Sequence, residues 1–180
     1  SEQKLGEIGE KYVKDFINRE LGGCFECTRK GDQGWLWTLK NSFPVVDLIC
    51  DLCHETCQVK AQREDETDCL PSQVKGAGYK VLMRHRNEGK FHPLIIVLFK
   101  KGEGPNGLVW NWRKTATIWY LDSRYVEKYF NELFVKYDST ITKNKRKHRG
   151  YNIKFSEEIK EKFIEISNIQ KATEKILKGQ

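Results

Sequence analysis

Apolar residues recur at three- and four-residue steps near the start of the chain, at Leu5, Ile8, Tyr12, Phe16 and Ile17. One apolar stripe of this kind predicts an amphipathic helix over residues 3–21. Gly22 and Gly23 follow where a helix C-terminal cap falls. Pro44 opens a short apolar strand over 45–49, and residues 56–61 read as the next strand. The acidic, polar stretch 63–68 reads as a loop, and 73–84 as a helix despite Gly76 and Gly78. Residues 93–99 form an apolar, β-prone run that predicts a central strand. After a turn over 100–107, rich in Gly and Pro, residues 109–112 and 117–121 read as two further strands. Asp122 is placed to cap a helix over about 123–134. Residues 138–150 read as a loop and 151–155 as a short strand. Ser156, followed by two Glu, starts a last helix over about 156–178, with Ile159, Phe163, Ile166 and Ile169 on one side.

Helix, strand, strand, helix, strand is the order of an α/β fold, a mixed sheet flanked by helices. The chain holds no repeat, no low-complexity tract and no linker, so residues 1–180 read as a single domain. Aromatic residues make up 12% of it, too many for general disorder. No run of 18 apolar residues exists, so no membrane-spanning helix is expected. The charged opening SEQKLGEIGE does not read as a secretory signal, and its initial Ser suggests processing. An intracellular, cytoplasmic location is therefore expected. The net charge of +7 suggests an anionic partner, of which nucleic acid is the commonest.

The six cysteines sharpen this picture. Cys24-Phe-Glu-Cys27 and Cys50-Asp-Leu-Cys53 are two Cys-x-x-Cys pairs with 22 residues between them. Each pair can form a knuckle offering two thiolates, and four thiolates in a tetrahedron suit a structural zinc. The expectation is a zinc ribbon inserted at about residues 22–57. His54 and Cys57 lie near enough to compete as ligands, and Cys69 is left as a free thiol of the small, buried, apolar kind.

Asp47, Gln58 and Lys60 carry the candidate chemistry. One strand delivers Asp47, and the next delivers Gln58 and Lys60 on a common face, because side chains two apart on a strand point the same way. A carboxylate and an amide carbonyl can hold a divalent ion. Lys60 can orient a water or steady charge on a phosphate. The plainer reading makes Asp47 a turn residue and Lys60 a surface charge.

These residues resemble the motif of the PD-(D/E)xK nuclease superfamily. Asp47 corresponds to the strand-end aspartate and Gln58-Val59-Lys60 to the (D/E/Q)-x-K half. Gly6-Glu7-Ile8-Gly9-Glu10 is similar to the glutamate-bearing first helix, which implies that Glu10, or else Glu7, adds a carboxylate to the metal site. With the knuckle Cys50–Cys53 lying between Asp47 and Lys60, the run from Pro44 to Lys60 resembles more narrowly the zinc-ribbon-containing catalytic domain of DpnI-type methyl-directed restriction endonucleases. Looser similarity continues through Gly76-Ala77-Gly78-Tyr79, Met83-Arg84, residues 93–99 and the basic Lys145–Ile153 segment, and covers most of residues 5–155.

The resemblance implies a PD-(D/E)xK restriction-endonuclease-like fold and a Mg²⁺- or Mn²⁺-dependent endodeoxyribonuclease, with structural Zn²⁺ on Cys24, Cys27, Cys50 and Cys53. It also implies double-stranded DNA as substrate and a homodimer, or sequential nicking, for two-strand cleavage. Two departures stand out. Gln58 replaces the family's usual glutamate, which removes one negative charge from the metal site, although some superfamily nucleases that cleave transposon ends share the glutamine. Only about 25 residues follow position 155, fewer than the family's winged-helix reader of methylated DNA requires.

Lys143, Lys145, Arg146, Lys147 and Arg149, together with His148, form a basic run suited to phosphates, and Lys80, Arg84 and Arg86 form a second group. Trp35, Trp37, Trp110 and Trp112 can stack on bases or simply pack. The rival readings are a structure-specific or RNA-directed nuclease, a zinc-ribbon DNA-binding module without catalysis, and a zinc-dependent protein-interaction module.

Overall fold

Six apolar residues and a lysine make up strand β5, Leu94–Lys100, and all six apolar side chains are buried. A strand this uniformly apolar has both faces covered and a neighbour on each side. The computed structural model, which describes residues 2–20, 35–37, 46–50, 54–101, 116–138 and 149–167, shows this arrangement. β5 pairs parallel with β3, Thr56–Glu64, and antiparallel with β6, Thr117–Leu121. With β1 (Trp35–Trp37), β2 (Leu48–Cys50) and β9 (Ile164–Glu165) they form a six-stranded sheet ordered β1-β2-β3-β5-β6-β9. The fold is mixed α/β, with a mixed sheet flanked by helices.

The alternation along β5 separates two cores. Ile95, Val97 and Phe99 join Cys57, Val59 and Ile118 beneath helix α1, Glu2–Glu20, whose Tyr12, Val13, Phe16 and Ile17 close that side. Leu94, Ile96 and Leu98 face the opposite core, with Leu82 of α2, Tyr79–Asn87. That side is also closed by a second sheet, ordered β4-β8-β7, of Gln73–Ala77 (β4), Phe134–Asp138 (β7) and Arg149–Lys154 (β8). Three short helices, α3 (Ser123–Lys128), α4 (Phe130–Leu133) and α5 (Glu157–Lys162), supply Val126, Phe130, Leu133 and Ile159 to it.

The structure differs from the sequence expectation at several elements, each for a packing reason. Residues 73–84 are not one helix. Val74 is drawn into the second core, and β4 pairs with β8 from Gln73↔Lys154 to Ala77↔Gly150. Gly78 then takes a left-handed conformation (φ 81°, ψ 42°) that glycine adopts without steric cost, and α2 starts at Tyr79. β3 runs on through Arg63 and Glu64 because β5 continues beside it to Lys100. The strand expected over 45–49 is hydrogen-bonded as a ladder at Leu48–Cys50. Asp122 does cap a helix, its side chain accepting from the Arg124 N–H at 2.8 Å, but the helix breaks at Tyr129 and the chain turns into β7 at Phe134.

The last helix stops at Lys162. Ile159 and Phe163 belong to the second core and Ile166 to the first, so no single helix face could serve all three. Phe163 is extended, and Ile164–Glu165 adds an edge strand to β6. The strand expected over 109–112 and the C-terminal part of the last helix, from residue 168, lie outside the described residues.

α1 approaches β3 closely at one point. A Cβ built on Gly9 would lie 2.6 Å from the Ala61 Cβ, whereas one on Gly6 meets nothing within 4 Å. Two glycines three apart in one helix therefore respond in opposite directions. Gly6→Ala is expected to stabilise the protein by about 0.5–1 kcal/mol through helix propensity. Gly9→Ala is expected to destabilise it by about 1–3 kcal/mol through overpacking. Urea midpoints of the two variants test this.

Candidate active site at the edge of strand β3

Side chains alternate along β3. Cys57 and Val59, with Ala61 at the margin, point into the core under α1. Gln58 and Lys60 therefore share the other face. Gln58 is only 3% exposed and Lys60 is half-buried. β2 runs antiparallel to β3 in the register Leu48↔Cys57, so one step further Asp47 comes alongside Gln58.

The ladder changes character at that step. The Asp47 N–H donates to the Cys57 carbonyl at 3.0 Å. The next outward amide of β3, the Val59 N–H, donates not to a backbone carbonyl but to the Asp47 carboxylate, at 2.7 Å to Oδ2. A bond to an ionised acceptor is among the stronger kinds, and it fixes the half-buried carboxylate at the point where the two strands part. On its other side β3 stays in the sheet, the Gln58 N–H donating to the Pro93 carbonyl at 2.9 Å.

The sequence reading left out the residue that holds Gln58. The Gln58 Nε2 donates to the hydroxyl of Tyr151 on β8 at 2.9 Å, a bond that is fully buried. Tyr151 lies 93 positions away and is brought there by the β4–β8 pairing; the only sequence sign was its place in the Gly150-Tyr151-Asn152 run. The Lys60 side chain makes no hydrogen bond or ion pair among the described residues. Asp47, Gln58 and Lys60 are thus brought together by strand register. Glu10 is half-buried and Glu7 exposed, both on α1, the helix that covers the opposite face of β3.

Among the described residues no group of three His, Cys, Asp or Glu side chains is arranged to hold a metal ion. The oxygens at hand at the β3 edge are one carboxylate and one amide carbonyl. That set suits magnesium or manganese better than a tightly caged ion, since magnesium keeps several waters and commonly binds through one or two carboxylates plus substrate phosphates.

Of the cysteines, Cys50 and Cys57 are packed in the core under α1. Cys69 is exposed, contrary to its expected burial. Cys50 is paired with the residues that follow the second cysteine of its pair: the His54 N–H donates to the Cys50 carbonyl at 3.0 Å, the Cys50 N–H to the Glu55 carbonyl at 2.7 Å, and His54 has φ 62°. Cys24, Cys27 and Cys53 lie outside the described residues, as do Lys143, Lys145, Arg146, Lys147, His148, Trp110 and Trp112. Arg149 opens β8 opposite Asp138, and Trp35 and Trp37 begin and end β1.

Lys80 and Arg84 are exposed on α2 and line a groove of about 420 Å³ together with Tyr79, Met83 and Asn87. Lys136 of β7 joins them, with its Nζ 5.7 Å from the centre of the Tyr79 ring. No periodicity points to Lys136, which falls between the helix expected to end at about residue 134 and the loop expected from 138. Arg86 belongs elsewhere: its guanidinium sits over the Phe130 ring at 5.0 Å.

A second polar chain starts two residues before Gln58. Thr56 Oγ1 lies 2.6 Å from His92 Nδ1, and His92 Nε2 lies 2.8 Å from His85 Nδ1. Two ring nitrogens this close share one proton, so the two rings cannot both be cationic. Burial, with help from the neighbouring His85 and Lys90 charges, lowers the His92 pKa from 6.5 to about 4. Burial also lowers that of His85, aided by Arg84.

No protein-family model matches the chain, and no curated protein matches it.

His92 stays neutral in the folded protein down to about pH 4, whereas in the unfolded chain it takes up a proton near its ordinary value of 6.5. Between those values the unfolded state binds the extra proton, so stability falls as pH drops through that window. The urea midpoint is expected to decline from pH 6.5 to 4, and to decline less steeply in His92→Asn.

Proposed function

We propose that this chain is a metal-dependent DNA endonuclease of the PD-(D/E)xK type, restriction-like in its role, with a zinc ribbon built around Cys24, Cys27, Cys50 and Cys53. The observation that carries the reading is the meeting of Asp47, Gln58 and Lys60 where β2 and β3 part, with the carboxylate aimed by the Val59 N–H. The backbone bonds that join Cys50 to His54 and Glu55 support the ribbon.

Asp47 and the carbonyl of Gln58 would hold magnesium or manganese, which when bound supplies charge neutralisation and a more acidic water. Lys60, a half-buried ammonium without a protein partner among the described residues, is suited to meet the scissile phosphate and to orient the attacking water. Holding these groups on paired strands keeps them in fixed geometry, which is most of what phosphodiester hydrolysis asks of a protein. The α2 groove, with Lys80, Arg84 and Lys136, supplies backbone contacts that are independent of sequence. Lys143, Lys145, Arg146, Lys147 and Arg149 would add to them. The restriction role, any dependence on base methylation and a homodimer rest on the resemblance alone.

One observation favours a second reading. Gln58 is buried and bonded to Tyr151, and it carries no charge. A DNA-binding module that kept the fold and lost catalysis would have the same features.

A supercoiled-plasmid assay with Mg²⁺ or Mn²⁺ separates the two. Lys60→Ala and Asp47→Asn are each expected to lower the cleavage rate by about 100-fold or more, on the scale of removing one preorganised charged group. Equal cleavage by parent and Lys60→Ala would remove Lys60 from the site, and no cleavage by the parent would favour the binding module. Lys136→Ala is expected to weaken duplex binding for all sequences alike and to reduce the salt slope of log K by about 0.9. Binding titrations at several salt concentrations measure it, and an unchanged slope would take Lys136 off the interface.

A further inference from the structure

Phosphate contacts account for only the rim of the α2 groove. Lys80, Arg84 and Lys136 are exposed, whereas Tyr79 and Met83 in the same lining are half-buried and form an apolar floor. Cations alone suffice to hold a duplex backbone, and such a floor adds nothing to that contact. The groove encloses about 420 Å³, inside the range of about 300–1,000 Å³ usual for small-molecule sites.

The floor suits a flat ring. Tyr79 rests on Tyr151 at 6.2 Å between ring centres, which steadies it from the side of the second core. The Lys136 Nζ lies 5.7 Å from the Tyr79 centre. An exposed ammonium over a ring is held weakly, so it can give way to a stacking ring and move to an anion beside it. Any nucleic-acid base can stack on an aromatic side chain, because every base has a π-face. Met83 adds a polarizable thioether next to the ring. Glu88, the carboxylate of the rim, is paired with Lys90 at 3.1 Å, and the three rim cations leave the groove suited to an anion.

We propose that the α2 groove holds one unpaired nucleotide of a nucleic-acid strand, with its base stacked on Tyr79 beside Met83 and its phosphate on Lys80, Arg84 and Lys136. This deepens the nuclease reading, on which it rests for its role, by naming a substrate with a single-stranded segment. A base inside a duplex is stacked on its neighbours and cannot reach the floor without being extruded. The Tyr151 hydroxyl meets the Gln58 amide at 2.9 Å, so Tyr151 alone stands between the Tyr79 ring and the β3 site. A free nucleoside monophosphate carries the same base and phosphate, and the test separates the two sources.

The test uses the full chain without added divalent ion, so that binding is read apart from cleavage. Fluorescence anisotropy compares a labelled oligothymidylate with an abasic strand of equal length, which keeps every phosphate. The abasic strand is expected to bind about tenfold more weakly, the scale of one base stacked on an aromatic ring. Tyr79→Leu is expected to abolish that preference and Tyr79→Phe, which keeps the ring, to restore it, with urea midpoints checking that each variant is folded. Photo-crosslinking of a 5-iodouracil strand to the parent is expected to label Tyr79, and it needs no variant. Equal binding of the two strands by the parent, a preference that survives Tyr79→Leu, or crosslinks that miss α2 would each overturn the proposal. Thymidine monophosphate competing as tightly as the strand would overturn it in favour of a free nucleotide. Plasmid cleavage with Mg²⁺ judges the nuclease reading separately. Cleavage without Tyr79-dependent strand binding would sink only the groove proposal, and such binding without cleavage would sink only the nuclease reading.

Discussion

A polar amide buried in a sheet face must find a partner, since leaving it unpaired costs on the order of 1–3 kcal/mol. Gln58 meets this constraint through Tyr151, and much of the second half of the molecule is arranged around that bond. The tyrosine needs β8 beside β4, the close approach needs Gly76, and the ring needs Tyr79 and Phe134 against it. Gly78 then turns the chain from β4 into α2, which brings Tyr79 to the tyrosine and sets Lys80 and Arg84 along the adjoining groove. One hydrogen bond thus connects the β3 edge to the basic groove through packed rings.

β3 keeps scaffold and chemistry apart by strand alternation. Its Cys57, Val59 and Ala61 side is apolar and carries α1, with Gly9 set against Ala61. Its other side offers Gln58 and Lys60. Asp47 enters from the neighbouring strand and is aimed by a backbone amide of β3 itself. The carboxylate therefore ends the β2–β3 ladder, and the strands part where the charged groups converge. The Thr56–His92–His85 chain starts two residues before Gln58 on β3, and burial lowers the pKa of both imidazoles, that of His92 to about 4.

The parts of the fold legible in the sequence were those governed by local periodicity. α1 declared itself through its apolar stripe, β5 through an unbroken apolar run, and β6 and β8 through short β-prone segments. The Asp47, Gln58, Lys60 trio was legible because its spacing is that of two neighbouring strands. The second sheet was not. β4 carries one glycine and one buried apolar residue, Val74, which is too little to show a period, and β7 follows α4 without a break. Lys136 and Tyr151 were missed as site residues for the same reason, since both reach their places through that sheet. The last helix was overextended because Ile159, Phe163 and Ile166 are helically spaced although they face different cores.

The sequence by itself determined which residues are apolar at helical and strand spacing, and so the central strand, the first helix and the face shared by Gln58 and Lys60. These follow from geometry that repeats every two or 3.6 residues and needs no distant partner. Only the tertiary structure decided that residues 73–77 form a strand, that Lys136 joins Lys80 and Arg84, and that a tyrosine 93 positions away holds the Gln58 amide. Those outcomes depend on which distant surfaces meet, and that is set by the burial of two cores on opposite faces of one sheet, a condition no local window contains.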